Sequence, residues 1–172
     1  ERSALMLVRL AHLEDAATLP AIERSASLAF RQAPGLEWLA DGEVMAQAAH
    51  ARLIRQGTVW VATAPEGHPI GFLSAERFTD ALHLWELSVH ADWQRQGVGT
   101  RLLHSAAAHA SAQGWLALSL TTFSDLPWNA PAYARQGFLP MQTANPRLQG
   151  LLAAEVAHGL PAARRIAMWR PL

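Results

Sequence analysis

Short apolar runs, bounded by turn-forming residues, recur along the chain and predict its strands. The segment Pro65 to His68 predicts the turn of a hairpin, because proline and glycine favour tight turns. The run LHLWELSV differs from the others by carrying a single carboxylate, Glu86, among apolar residues. The predicted strands are 4–10, 58–64, 69–77, 82–89, 115–122, 138–142 and 164–170.

Between these runs, apolar residues recur at helical spacing and predict the helices. The first helix opens at His12 and reaches about Phe30, and Pro20 is expected to kink or split it. Glycines that follow the periodic segments predict where three of the helices end. The remaining predictions are helices at 43–56, 101–113 and 130–136, a further short helix within 143–159, and a loop at 32–42.

The order of these elements is β, α, α, β, β, β, α, β, α, β, β. It predicts an α+β domain with three layers, in which helices flank a mixed, mostly antiparallel central sheet of about seven strands. The 172 residues suit one domain with a substantial core. Because no linker and no internal repeat is visible, we expect a single domain over residues 1–172.

Composition excludes several classes of function. Of the residues, 51% are hydrophobic and 16% are charged, as in a folded globular chain. The formal net charge is zero and there is no polybasic run, so nucleic acid and anionic membrane are not expected partners. Cysteine is absent, which excludes a disulfide framework, a cysteine–zinc site and an acyl-cysteine intermediate. No apolar run reaches 18 residues, and we expect a cytoplasmic location.

The most informative stretch is the loop from Gln94 to Thr100, which follows a predicted strand and precedes a predicted helix. The first N–H groups of a helix have no partner within the helix, and the helix dipole adds positive charge there. Gly97 and Gly99 allow a ligand to approach the backbone closely. With Arg95 and Arg101 nearby, the loop predicts an anion site that suits phosphate groups.

Two common nucleotide motifs do not fit this loop. The chain contains no lysine, which a Walker loop requires. A dinucleotide fingerprint would need a third glycine at the position of Leu102 and an acidic residue about twenty positions later.

The spacing Gln94-x-x-Gly97-x-Gly99 resembles the acetyl-CoA pyrophosphate loop of the GNAT superfamily of N-acetyltransferases. The surrounding segment ELSVHADWQRQGVGTRLL resembles the central strand, loop and helix of that family, and WNAPAYARQGF (128–138) resembles a later family segment. The resemblance is strong over 82–141, topological over the first 80 residues and weak after Met141. It implies the GNAT-like acyl-CoA N-acyltransferase fold. It also implies acetyl-CoA as co-substrate, with direct acetyl transfer to an amine in a ternary complex.

The resemblance also implies which residues contact acetyl-CoA. Family members open the sheet beside the central strand, where a backbone N–H stabilises the oxyanion; the residue that supplies it stays open. Asn129 matches an asparagine that touches the cofactor, although asparagine is also a favoured helix N-cap. The implied cofactor-binding residues are Leu87, Ser88, Val89, Gln94, Arg95, Gln96, Gly97, Val98, Gly99, Thr100, Asn129 and Tyr133.

Two residues are candidates for acid–base chemistry. Glu86 matches the family's general base, and burial in its apolar run would raise its pKa toward the working range. The alternative is a half-exposed strand glutamate paired with an arginine. Tyr133, the only tyrosine, matches the acid that protonates the leaving thiolate, and a phenol of pKa about 10 is protonated at pH 7. Its alternative role is packing before Gly137 and Phe138.

Substrate residues are predicted less directly. Phe30, Trp38 and Trp85 are candidates to line an acceptor pocket, and core packing is their alternative role. The eight histidines are scattered, so no metal is expected.

The acceptor itself is predicted as a small-molecule primary amine. A protein or peptide N-terminus or lysine is the second hypothesis, and a non-catalytic acyl-CoA sensor is the third. A homodimer is possible through the final strand, whose apolar Ile166, Met168 and Trp169 suit an interface and a core equally.

Overall fold

The computed structural model describes residues 6–141 and 145–172, and seven strands in these ranges form one sheet. The sheet order is β1-β2-β3-β4-β5-β7-β6. All neighbouring strands run antiparallel except β4 and β5, which are parallel. The predicted mixed, mostly antiparallel sheet is therefore confirmed. The strands are β1 Leu7–Leu10, β2 Val59–Thr63, β3 Pro69–Arg77, β4 Leu82–Val89, β5 Ala117–Phe123, β6 Leu139–Pro140 and β7 Arg165–Pro171.

Helices cover both faces of the sheet, and the strand alternation shows which face each one takes. On β5, Leu118 and Leu120 pack in the core beneath α3 and α4, whereas Ser119 and Thr121 bond to side chains of α5 on the other face. The helices α1 and α2 pack on β2 and β3 from that same face. The helices are α1 Leu19–Ser27, α2 Gln47–Arg55, α3 Val98–Ala112, α4 Ala130–Arg135 and α5 Pro146–Ala157.

The first predicted helix was wrong in detail. Residues Leu13–Ala17 and Leu28–Gln32 are 3₁₀ turns, and only α1 between them is α-helical. Pro20 lies in the first turn of α1, where its missing N–H costs nothing, so it starts the helix instead of kinking it. The predicted loop at 32–42 contains a further 3₁₀ turn, Glu37–Asp41.

Other boundaries moved by a few residues. The helix predicted at 43–56 begins only at Gln47, and the helix predicted at 101–113 begins earlier, at Val98. Its start is set by Gly97, which takes a left-handed φ of 79° as the N-cap. The further short helix is confirmed as α5. The ends of three predictions, at residues 4–5, 142 and 143–144, lie outside the described residues.

The final strand occupies the interior of the sheet. β7 pairs with β5 on one side and β6 on the other, Met168 is 1% exposed, and Ile166 packs against the same core. Two of the three residues that suggested a dimer interface, Ile166 and Met168, therefore serve the core, and a homodimer stays a prediction.

Gly71 on β3 allows α3 to approach the sheet closely. A Cβ at this position would lie 3.1 Å from Val98 Cγ1 and 3.2 Å from the Ser88 carbonyl oxygen. We therefore expect Gly71→Ala to lower the free energy of unfolding by about 1–3 kcal/mol, because the methyl group overpacks against backbone. Urea denaturation measures this. The matched control is Gly150→Ala on α5, where no atom lies within 4 Å and the helix should gain about 0.5–1 kcal/mol.

Candidate active site

The parallel strands β4 and β5 pair at only two positions and then separate. Leu82 pairs with Leu118 and His83 with Ser119. Among the described residues, the remainder of β4 pairs with β3 but not with β5. Both strands nevertheless run on, β4 to Val89 and β5 to Phe123. A gap therefore opens in the sheet beside the second half of β4.

A β-bulge at Trp85 changes which side chains of β4 point to which face. Ser74 pairs with Glu86 and Ala75 with Leu84, so Trp85 is an extra residue without a partner on β3. Before the bulge, Leu84 belongs to the core beneath α3, and after it Leu87 packs there. The bulge thus turns Glu86 toward the face covered by α1, α2 and α5, beside the gap.

The backbone of β4 offers hydrogen-bond donors to the gap. The His90 N–H donates to the Ile70 carbonyl of β3 at 2.8 Å. Because backbone groups alternate between the two sides of an antiparallel strand, the N–H groups of Leu87 and Val89 point away from β3 and into the gap. The Val89 carbonyl points the same way, since it accepts a 3.0 Å hydrogen bond from Gln94 Nε2. These two N–H groups are therefore the candidates for the oxyanion donor that the sequence left open.

The glycine loop lies at the open end of the gap. Arg95 and Gly97 both take left-handed backbone conformations, with φ of 62° and 79°. Space around Gly97 and Gly99 is open: no atom lies within 4 Å of a Cβ built at Gly97, and only Leu87 Cδ2, at 3.9 Å, at Gly99. The loop leads directly into the free N–H groups at the start of α3. This arrangement fits a diphosphate, as the sequence predicted.

The polar side chains of the loop are largely engaged with the protein itself. Gln94 holds the end of β4 as described, and Gln96 Nε2 donates to the Asp92 carbonyl at 3.5 Å. Thr100 Oγ1 accepts from Gln136 Nε2 at 3.4 Å, which links α3 to the end of α4. The loop is thus positioned by its side chains and presents mainly backbone to a ligand.

Glu86 is half-buried and accepts a 2.9 Å hydrogen bond from Ser88 Oγ. Burial, and secondly the charge of Glu23, raise the pKa of the Glu86 carboxyl to about 8. The Ser88 hydrogen bond and the more distant Arg165 act in the opposite direction. No ion pair involves Glu86 among the described residues, so the arginine partner of the alternative is not found there, and the role of Glu86 as base stays a prediction.

Tyr133 approaches the same gap from α4. Its ring packs against the core and contacts Phe138 edge to face, with ring centroids 5.5 Å apart. Burial, followed by the charge of Glu86, raises the pKa of the Tyr133 hydroxyl above its ordinary value. The hydroxyl therefore stays protonated at neutral pH, as an acid requires. The effect of the Glu86 charge on this hydroxyl is consistent with the predicted placement of both groups in one site.

Asn129 lies at the N-cap position of α4, but its side chain does not cap the helix. Its Oδ1 accepts instead from the Phe123 N–H at 3.4 Å, at the end of β5. Asn129 therefore fastens α4 to the strand that forms the far side of the gap.

The three predicted substrate residues lie in different places. Phe30 contacts Phe123 and Trp128 edge to face, at centroid distances of 5.8 and 6.3 Å. Trp85 is partly exposed beside Glu86, and its Nε1 donates to Glu76 at 3.0 Å. Trp38 is 50% exposed on the 3₁₀ turn 37–41. The structure does not bring the three together around one pocket.

Several groups near the gap did not stand out in the sequence. Glu23 on α1 is buried and acts on Glu86. Across the gap, Arg165 packs over the Phe123 ring and bonds to Thr121 and Glu155. The only sequence signal for Glu23 was its place in the apolar stripe of α1, next to Ile22 and four residues after Leu19.

Residues 6–141 and 145–172 contain neither a candidate membrane span nor a candidate metal-binding cluster. No helix there is long and apolar enough to cross a membrane. No group of three or more histidine, aspartate or glutamate side chains there is arranged to hold a metal ion.

Similar folds occur in known acetyltransferases. The PaiA N-acetyltransferase of Thermoplasma acidophilum, solved with coenzyme A, aligns with a TM-score of 0.71 at 16% identity, covering 97% of this chain and 99% of that one. The N-acetylglutamate synthase of Neisseria gonorrhoeae, solved with coenzyme A and N-acetyl-glutamate, aligns with a TM-score of 0.70 at 18% identity, covering 97% of this chain and 35% of that one. The ribosomal-protein-S18-alanine N-acetyltransferase of Escherichia coli aligns with a TM-score of 0.65 at 20% identity, covering 96% of this chain and 93% of that one.

The family itself follows from the sequence comparison. Residues 55–140, half of the chain, match the family model described as an acetyltransferase (GNAT) domain. This range contains β4, the glycine loop, α3 and Tyr133, which are the elements around the gap. The chain belongs to the GNAT family and is an acetyl-CoA-dependent N-acetyltransferase.

Proposed function

We propose that this enzyme moves the acetyl group of acetyl-CoA directly to a primary amine of a small molecule, in a ternary complex. The observation that carries the proposal is the pairing of two groups at one gap. Glu86 has a pKa of about 8, suited to accepting a proton, and Tyr133 stays protonated, suited to donating one. The two residues lie on different layers of the fold, Glu86 on β4 and Tyr133 on α4.

The chemistry assigns one task to each group. Glu86 takes a proton from the acceptor's nitrogen, whose electron pair then attacks the thioester carbonyl carbon. The N–H groups of Leu87 and Val89 stabilise the negative charge that develops on the carbonyl oxygen. When the carbon–sulfur bond breaks, Tyr133 gives its proton to the leaving sulfur.

A cavity supports a small acceptor. Its volume is about 590 Å³, within the range of small-molecule sites, and Phe30 adjoins it through Trp128. Asp125 and Arg164 in its wall form an ion pair at 2.9 Å, so their opposite charges offset each other. It is lined by Gln32, Pro34, Asp125, Leu126, Pro127, Trp128 and Arg164.

A protein or peptide amine is the second candidate acceptor. The structural similarity to a ribosomal-protein-alanine N-acetyltransferase motivates it. The similarity to an N-acetylglutamate synthase, which was solved with the small acetylated amino acid N-acetyl-glutamate, motivates the first candidate to the same degree. We therefore propose the small molecule as the acceptor, with the cavity after β5 as its support.

The test is calorimetric titration with acetyl-CoA, followed by a panel of amines and peptides with detection of the released thiol. Thiol release with a small amine, and none with peptides, is the expected result. Release with peptides alone would move the acceptor to the protein class. Binding of acetyl-CoA without release for any acceptor would favour a non-catalytic sensor over an enzyme.

We expect Gly99→Trp to weaken acetyl-CoA binding about 100-fold, since the indole fills the space that the pyrophosphate needs and removes charge-assisted contacts. The matched control is Gly99→Ala, whose methyl group makes only an ordinary 3.9 Å contact with Leu87 and should bind nearly normally. Calorimetry measures both dissociation constants. Unchanged affinity in the tryptophan variant would contradict the assignment of this loop to the pyrophosphate.

A further inference from the structure

Glu23 is a buried carboxylate to which the mechanism above gives no task. It is 8% exposed on α1 and follows the two buried core residues of that helix, Leu19 and Ile22. Its Oε1 accepts a hydrogen bond from the Met45 N–H at 3.0 Å. Burying a carboxylate is costly unless it is neutralised or used, and one hydrogen bond from a neutral donor does not offset that cost.

The fold directs Glu23 toward Glu86. Helix α1 packs across β4, and Ser25, two residues after Glu23, accepts from the Ala91 N–H at 2.9 Å just beyond the end of that strand. The bulge at Trp85 turns Glu86 to the same face of the sheet. The two carboxylates therefore lie on elements that pack together on one face of the sheet, and the charge of Glu23 acts on the Glu86 carboxyl.

The charged groups around Glu86 leave this pair without a close counter-ion. On β7, Arg165 is bonded to Glu155 of α5 at 3.1 Å, and on β3, Glu76 is bonded to Arg52 of α2. Among the described residues, no ion pair involves Glu23 or Glu86. Burial raises the pKa of Glu23, and the charge of Arg24, the next residue on α1, acts in the opposite direction, although the two side chains form no ion pair. The other titratable or charged groups on α2 to α5, β3, β4 and β7, and at the end of β4, are His50, Arg55, Arg77, His83, His90, Arg101, His104, His109, Tyr133, Arg135, Arg147 and Arg170.

Two neighbouring carboxylates in a partly dry site do not both ionise freely, and they titrate as a pair. A cation placed between them removes the conflict. An alkylamine at neutral pH is such a cation, because its pKa is about 10.4.

We propose that Glu23 is the positioning partner of Glu86, and that the carboxylate pair makes the site selective for acceptors that arrive as ammonium ions. The acceptor part of this inference rests on the proposed function. In the step itself, one proton leaves the ammonium nitrogen and ends on Glu86, and the nitrogen's electron pair becomes free to attack the acetyl carbon. As the carbon–sulfur bond breaks, Tyr133 protonates the sulfur and the nitrogen's second proton replaces the one that Tyr133 has given, so that the products are the amide, the thiol and protonated Glu86. Glu23 acts through Glu86, because its negative charge favours the protonated form of the Glu86 carboxyl.

The pair is tested without any catalytic assay. Carboxyl-¹³C-labelled glutamate is introduced into wild type, Glu23→Gln and Glu86→Gln, and the carboxyl resonances are followed by NMR across pH. The carboxyl resonance that is missing from the spectrum of Glu86→Gln is assigned to Glu86. In Glu23→Gln we expect its midpoint to move to lower pH by about one unit, since a like charge has been removed. A midpoint equal to that of wild type would overturn the pairing.

Controls separate this effect from a loss of fold. In Glu23→Gln the amide oxygen can still accept from the Met45 N–H, so the variant should fold and bind acetyl-CoA normally. Glu14→Gln removes the same charge from a side chain that is 84% exposed and should leave the Glu86 midpoint unchanged.

A kinetic arm tests the selectivity. For an alkylamine we expect Glu23→Gln to raise KM about tenfold, and for an aromatic amine that is neutral at the same pH to change it little. Equal changes in KM for both amines would overturn the selectivity. If wild type acetylates no amine, the proposed function fails, while the NMR titration still decides whether Glu23 and Glu86 are a pair.

Discussion

Glu86→Gln should lower kcat/KM by about 10²–10⁴-fold, the usual contribution of a positioned general base. The glutamine keeps the shape of the side chain and its oxygen can still accept from Ser88, so the loss reports the missing proton acceptor. Steady-state kinetics with an accepted amine measures it. Wild-type rates in the variant would remove Glu86 as the base and point to a base supplied by solvent.

The dependence of kcat/KM on pH tests the same role of Glu86. Because burial and Glu23 raise the pKa of Glu86 to about 8, the fraction in the carboxylate form grows as pH rises through that value. The kcat/KM of wild type should therefore rise up to about pH 8. In Glu86→Gln this limb should be lost, and only the titration of the amine itself should remain.

Tyr133→Phe should lower kcat by about 10²-fold or more while leaving the dissociation constant of acetyl-CoA nearly unchanged. The hydroxyl is proposed to act only when the carbon–sulfur bond breaks, and an interaction confined to the chemical step affects turnover and not ground-state binding. Phenylalanine retains the ring contact with Phe138, so the α4 packing should persist. Stopped-flow detection of thiol release, combined with calorimetry, separates the two quantities.

Two outcomes would contradict this role for Tyr133. Equal turnover in wild type and variant would leave the tyrosine with packing alone. A large loss of acetyl-CoA affinity at unchanged kcat would make it a binding residue. The acid role also predicts that an acyl donor with a more acidic thiol, which needs less protonation on leaving, loses less rate in the variant.

The parts of the site that the sequence predicted are those that depend on neighbours along the chain. A glycine spacing between a strand and a helix determines a loop and an anion site locally, and the position of Gly97 at the start of α3 follows from its backbone freedom. Likewise, the carboxylate within an apolar strand marked Glu86 as unusual without any knowledge of what surrounds it.

The missed parts depend on contacts between distant segments. The bulge at Trp85 is visible only in the pairing of β4 with β3, and it decides that Glu86 faces α1. Glu23 is 63 positions before Glu86, and no periodicity connects a helix glutamate to a strand glutamate. The start of α1 at Leu19, one residue before Pro20, was not predicted, because a proline in a periodic segment can kink, split or begin a helix depending on the turn in which it lies.

The separation of β4 from β5 has a consequence for the stability of the protein. Along the open half of β4, the amides of Leu87 and Val89 have no strand partner, so these positions should exchange their hydrogens with solvent faster than the paired Leu82 and His83. A ligand that lies in the gap and bonds to these amides takes the place of the missing strand pairing. The melting temperature should then rise with the concentration of acetyl-CoA, and protection should appear at Leu87 and Val89.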